Sequence, residues 1–290
     1  MFGRVIVATD LSDASFEVLK VVPQLKLYGA QEILLLQCLT LQETASTALS
    51  YSTDHLEKIL NRQMEILQSE GLSVETRNVV GHPRKEVNRL ASEEEYSLIV
   101  VGSQGHSITR EAILGGEAYG IIHNARKPVL LVPVHKAEES DKCKLVAEAT
   151  ITKNVLFPTD FSANADSAFT FLETIAPAMQ NVTLFHVQDK ARIEKRLEHR
   201  LEEFNEIDKG RLESMKNVLM QKSNIQIDTD LRYGFPAAEI LHFTREKCID
   251  FVVMASQGRG FLGELFWGSV SHKVARSSDV PVLLIPSREL

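Results

Sequence analysis

The residues best equipped for chemistry lie in two glycine-bearing loops of matching spacing. One reads Gly102-Ser-Gln-Gly105, nine residues, then Gly115-Gly116-Glu117-Ala118. The other reads Ala255-Ser256-Gln-Gly258, nine residues, then Gly268-Ser269-Val270-Ser271. Each follows a short apolar run and precedes a helical pattern. A small residue at a strand end lets the backbone approach a ligand closely. Glycines let successive N–H groups turn toward one anion. A helix opening after the second glycine adds its own N–H groups and dipole, which favour phosphate. Ser269 and Ser271 offer hydroxyl donors in the second loop. Glu117 puts a carboxylate at the matching place in the first, where it would repel phosphate in a partly dry site. The second loop departs from glycine only at Ala255, and Arg259 and Lys273 add positive charge around it. The second half is therefore expected to hold the stronger site.

The elements that position these loops recur with them. VVGHPRKEV at 79–87 matches RYGFPAAEI at 232–240, and Ser-Gln-Gly at 103–105 matches 256–258. Gly115 matches Gly268, and Pro128 in KPVLLVPV matches Pro281 in VPVLLIPS, all at one offset of 153. Near the start the offset is 150, from ATDLS at 8–12 to PTDFS at 158–162, which implies three inserted residues after Ser162. The chain thus reads as two copies of one domain, 1–136 and 151–290, joined by a polar linker at 137–150. RVIVA, EILLLQCL, SVETRNVV, SLIVVGS and PVLLVPV read as five strands of the first copy. NVLFPTD, VTLFHV, IQIDTDLRY, DFVVMAS and PVLLIP are their counterparts in the second. Helical patterns alternate with them, which predicts parallel sheets covered by helices. The second copy also carries one long polar helix over about 190–222, with Leu197, Leu201, Phe204, Ile207 and Leu212 as its apolar stripe.

Composition narrows the function. Of 290 residues, 44% are hydrophobic and 24% charged, as in ordinary globular proteins. A net charge of −7 argues against a phosphate-backbone grip on nucleic acid. No apolar run reaches the 18 residues that a membrane helix needs. The N-terminus enters a strand without the pattern of a signal peptide, so the cytoplasm is the expected location. The three cysteines, Cys38, Cys143 and Cys248, are far apart and form no Cys-x-x-Cys pair. Neither a disulfide nor a thiolate metal site is expected from them. The nine histidines form no His-x-x-x-His pair, so no metal site is expected.

Taken together, each half resembles the universal stress protein domain. The motifs that carry the likeness are Gly-x2-Gly-x9-Gly, Thr-Asp-x-Ser after the first strand, Gly-x-Pro after the third and Pro-Val-Leu-Leu in the last. The resemblance implies two tandem Rossmann-like (flavodoxin-like) domains, each a five-stranded parallel sheet with helices on both faces. It implies ATP or AMP as ligand in some members, and pairing of two domains through their last strands. Residue by residue, it implies that Asp160 and Asp10 contact adenine or ribose. In the same loop Pro158 and Ala8 would line the base, with Thr159 beside them among the nucleotide-binding residues. Val187 and Cys38 would flank adenine, and Met254 and Val101 would pack near the ribose. The glycine loops would hold the phosphates, through Ala255, Ser256, Gly258, Gly268, Ser269, Val270 and Ser271, and through Gly102, Gly105, Gly115 and Gly116.

The expected function is an adenine-nucleotide-responsive regulator in stress physiology, acting through a protein partner or a homodimer. The rivals are an interaction protein with degenerate sites and a slow ATP hydrolase. Against hydrolysis, the sequence has no Gly-x4-Gly-Lys-(Ser/Thr) loop and no evident Ser–His–Asp set. Two bland roles compete locally. The aspartates can cap the helices that follow them, and His186 at a strand end can be a packed, hydrogen-bonded residue.

Overall fold

The computed structural model describes residues 2–40, 49–103, 114–134, 150–193, 198–258 and 267–287. The chain divides into two compact units, Met1–Ala137 and Glu138–Leu290. Apart from Thr150, the expected linker lies outside the described residues.

In the first unit β1 (Arg4–Thr9), β2 (Glu32–Leu39), β3 (Ser73–Val80), β4 (Leu98–Gly102) and β5 (Val129–Val132) form a sheet of order β3-β2-β1-β4-β5. Every pairing is parallel, with Ile6 opposite Leu34 and Ile99, and Val100 opposite Leu130. Helices α1 (Asp13–Val21), α2 (Leu49–Ser69), α3 (Pro83–Glu93) and α4 (Gly116–His123) link the strands. α1 packs on α2, and α3 packs on α4. Strands β1, β4 and β5 are buried along nearly their whole length, which explains their continuous apolar runs. β3 alternates exposed and half-buried residues, as an outer strand does.

The second unit repeats the plan. β6 (Asn154–Thr159), β7 (Asn181–Asp189), β8 (Gln226–Gly234), β9 (Phe251–Ala255) and β10 (Val282–Ile285) run parallel in the order β10-β9-β6-β7-β8. Their helices are α5 (Ala163–Ile175), α6 (Leu201–Lys222), α7 (Pro236–Glu246) and α8 (Ser269–Ser277). Two backbone outliers recur at matching places. Leu11 and Phe161, each just after an aspartate, have φ of 59° and 54°, and Glu95 and Cys248 have φ of 55° and 47°. Such left-handed non-glycine positions cost about 1–3 kcal/mol each and persist where the surrounding structure imposes them.

Two sequence expectations need correction. The expected single α-helix over 190–222 is α-helical at Lys190–Ile193 and from Leu201 onward, with a 3-10 turn at Glu198–Arg200 before α6, and Leu197 of the expected stripe lies outside the described residues. Within α6, Leu212 and Leu219 are buried and Ile207 is 46% exposed, so the expected stripe is not uniformly packed. Cys248 is disulfide-bonded, against the expectation of no disulfide. Wide spacing along the chain says nothing about which residues a fold brings together. Cys38 remains free.

Candidate functional site

The order of strands in the second unit sets the site. β9, β6 and β7 are neighbours, and their carboxyl ends carry Ala255, Asp160 and Val187–Asp189 in sequence across the sheet. Open parallel sheets bind ligands just beyond such ends. A cavity of about 480 Å³ opens there. Its lining includes Pro158, Thr159, Asp160, Val187, Met254, Ala255, Gly258, Gly268, Ser269, Val270 and Ser271. The structure therefore brings together all the second-half residues that the resemblance assigns to nucleotide contact except Ser256, which is buried at the start of the loop. Its N–H bonds to Ile285 O at 2.8 Å, and its carbonyl receives Gly268 N–H at 2.9 Å.

The β6 end is a tight turn held by its own side chains. Thr159 Oγ1 accepts the N–H of Phe161 at 3.0 Å, and Asp160 Oδ1 accepts the N–H of Ser162 at 3.1 Å. Ser162 Oγ then caps α5 by accepting from Ala165 N–H at 3.2 Å. The cap is thus the serine, and the aspartate braces it, so the capping role expected for Asp160 falls to Ser162, two residues later. Asp160 Oδ2 faces the glycine loop: a Cβ on Gly258 would sit 2.8 Å from it. This contact supplies the physical reason for glycine there. At Gly268 an added Cβ would meet Ser271 Oγ at 3.2 Å and Ser256 O at 3.3 Å.

Ser271 does not fill the role expected of its hydroxyl. Its Oγ donates to Ser256 O at 2.5 Å and lies 3.0 Å from Gly268 O. A hydroxyl has one proton to give, so Ser271 pins the loop rather than presenting a donor to a ligand. Ser269 is exposed at the first turn of α8, a turn that holds no acidic residue. Lys273 is exposed and does not line the cavity, and Arg259 lies outside the described residues. The cavity's cations come instead from Arg192 and Arg211. Arg192 pairs with Asp189 at 3.5 Å and Arg211 with Asp208 at 3.4 Å.

Sequence reasoning missed the wall that α6 and the preceding turn supply: Arg192, Ile193, Phe204, Ile207, Asp208 and Arg211. The signal available was the apolar spacing of Phe204 and Ile207, which reads equally well as ordinary helix packing. His186 is buried and hydrogen-bonded, as the bland role foresaw. Its Nδ1 lies 2.7 Å from Thr159 O, and its ring packs at 4.5 Å on Phe161. Arg211 lies over that same phenyl ring, 5.3 Å from its centroid.

In the first unit Ala8, Asp10, Cys38, Val101 and Gly102 sit at the corresponding strand ends, and Gly115 and Gly116 open α4. Gly105 lies outside the described residues. Asp10 Oδ1 accepts from both Ser12 N–H and Ser12 Oγ, at 3.0 and 2.6 Å. The environment differs in charge. Burial first, then the carboxylates Glu86 and Glu117, push the Cys38 thiol from 9.0 up to about 12. Above the β1 end, buried Gln63 of α2 takes a hydrogen bond from Thr9 Oγ1 at 2.9 Å and gives one to Ser15 Oγ at 2.6 Å. Ala118 stands where Ser271 pins the second loop, so that hydroxyl pin is missing.

Comparison with known proteins accounts for the duplicated plan. The model of the universal stress protein family matches twice, over residues 1–133 and 152–286. Universal stress protein MJ0577 of Methanocaldococcus jannaschii is 29% identical over 152 residues, 46% of this chain and 94% of that protein. Universal stress protein YxiE of Bacillus subtilis is 37% identical over 91 residues, 30% of this chain and 62% of its own length. The crystal structure of a universal stress protein from Archaeoglobus fulgidus superposes with a TM-score of 0.74 at 24% identity, covering 99% of both chains. With both units matched to one family model and the whole architecture shared, this chain belongs to the universal stress protein family, as a tandem member.

Proposed function

We propose that the second unit binds an adenine nucleotide, ATP or AMP, and that the protein acts as a nucleotide-responsive regulator in a stress response. The observation that carries this reading is the cavity at the ends of β9, β6 and β7. Its volume falls within the roughly 300–1,000 Å³ typical of small-molecule sites. The residues fit the parts of a nucleotide in order. The glycine loop and the α8 N-terminus offer backbone N–H groups and a positive dipole for phosphate. Gly258 lets the Asp160 carboxylate, an acceptor for ribose hydroxyls, lie close against the loop where a side chain would displace it. Val187, Phe204 and Ile207 give an apolar slot for a base. Arg192 and Arg211 add positive charge at the cavity wall.

The first unit is the weaker site in this proposal. Glu117 in the first turn of α4 opposes an anion there, and the Cys38 thiol is raised by burial first and then by Glu86 and Glu117. The function is binding rather than turnover, and the nucleotide state is passed to a protein partner or a second copy. Native mass spectrometry of the gently purified protein, then calorimetric titration with ATP and AMP, tests the proposal. One adenine nucleotide per chain, lost on Asp160→Ala, is expected. Two per chain would restore the first unit to equal rank. No retained ligand and no heat at millimolar nucleotide would favour an interaction protein with degenerate sites.

A further inference from the structure

The base end of the cavity has a polar floor. Gln188 of β7, only 3% exposed, and Asp208 of α6, 8% exposed, meet there. Gln188 Nε2 donates to Asp208 Oδ2 at 3.1 Å, which fixes the orientation of the amide. Its carbonyl oxygen, Oε1, is buried and has no hydrogen-bond partner among the described residues. A buried acceptor in that state is unfavourable until a donor reaches it. Asp208 has capacity left as well. Arg211 approaches Oδ1 at 3.4 Å, a long contact, and His186 Nε2 stands 3.6 Å from Oδ2. A carboxylate offers about four lone-pair sites.

We propose that Gln188 and Asp208 form an acceptor pair that selects the 6-amino group of adenine against the 6-oxo group of hypoxanthine and guanine. This rests on the nucleotide reading above and names what discriminates within it. Adjacent strands lie about 4.8 Å apart. A nucleotide with phosphate at β9 and ribose at β6 therefore reaches β7, about 10 Å away, with its base. Val187 and the α6 residues Phe204 and Ile207 supply apolar surface there. His186 does not reverse the polarity. Its Nδ1 is the donor to the Thr159 carbonyl, and its Nε2 faces Asp208. An exocyclic amine brings two N–H donors to this floor. A 6-oxo group brings an acceptor against acceptors and leaves Gln188 Oε1 unpaired. Sites built to receive a particular hydrogen-bonding group discriminate strongly against analogues lacking it.

The test is calorimetric titration of the full chain with AMP, IMP and purine riboside monophosphate, which has no 6-substituent. AMP is expected to bind at least about tenfold more tightly than IMP, with the unsubstituted purine between them. Asp208→Asn supplies an amide that can donate to a 6-oxo oxygen, and it narrows the AMP preference to within about threefold. Gln188→Met, close in volume, narrows it as well, and it decides the matter if Asp208→Asn fails to give a native circular dichroism spectrum. Equal wild-type affinity for AMP and IMP, or an unchanged preference in the folded variants, overturns the selection while leaving nucleotide binding intact. No heat with any of the three overturns both.

Discussion

Gly258, Ser271 and Cys38 each show how a single side chain decides what a strand end can do. At Gly258 the space for a Cβ is already taken by Asp160 Oδ2 at 2.8 Å. Gly258→Ala is expected to displace that carboxylate and weaken AMP binding about tenfold, with little change in stability, as calorimetry and urea unfolding would show. Ser271→Ala removes the pin on Ser256 O and is expected to cost about 1 kcal/mol in urea unfolding. Cys38 illustrates charge. With its thiol pushed up to about 12 by burial, Glu86 and Glu117, it carries roughly a thousandth of the thiolate of an ordinary cysteine at pH 8. Iodoacetamide labelling of Cys38, followed by mass spectrometry, is therefore expected to be slow and to accelerate as pH rises toward 12. Glu117→Gln removes one of the two negative charges and is expected to speed it at fixed pH.

The strands and the glycine loops were legible in the sequence, because a buried parallel strand has little alternative to a continuous apolar run. EILLLQCL occupies the same residues in the structure as in the pattern, and so does SVETRNVV, an outer strand read from its alternation. Most of the second-unit cavity was legible for the same reason, since strand ends fix its residues. The helical wall was not. Phe204, Ile207, Asp208 and Arg211 fall on a helix whose apolar spacing fits simple packing, and which a 3-10 turn at Glu198–Arg200 precedes. The two helices that follow the second strand of each unit also end up doing different work. In the first unit, Gln63 of α2 closes over Thr9 and Ser15 in a buried network with both ends of its amide bonded. In the second, α6 meets the β7 end with Asp208 and leaves a cavity. Gln63→Met is expected to strand the Thr9 hydroxyl proton and cost about 2 kcal/mol, measured by chemical unfolding. Nothing about a glutamine on a polar helix announces that role.

At the scale of the whole chain, duplication has produced one backbone plan with two chemistries. The left-handed turns at Leu11 and Phe161 recur, while the groups around them differ in charge. If the second unit alone binds strongly, saturating AMP should stabilise it selectively. At a hundred times the dissociation constant the gain is about 2.7 kcal/mol. Hydrogen exchange should then slow in the amides of β6, β7 and β9 and remain unchanged in β1, β2 and β4. Protection rising equally in both units would contradict a single strong site.

The central position of the first strand in each unit also bears on time. Val5 of β1 pairs with Leu98, and Val155 of β6 with Phe251, so each opening strand waits more than ninety residues for one of its two neighbours. At about 5–20 residues per second of synthesis, that wait lasts several seconds, with a strongly apolar strand half-paired. The last strand of the first unit ends at Val132, before the second unit's first strand begins at Asn154. The ribosome can therefore let the strands of the first unit pair before offering a second set of the same order. Vectorial synthesis thus limits mispairing between two copies of one strand order, a hazard that refolding from denaturant, with both sets of strands released at once, does not spare them.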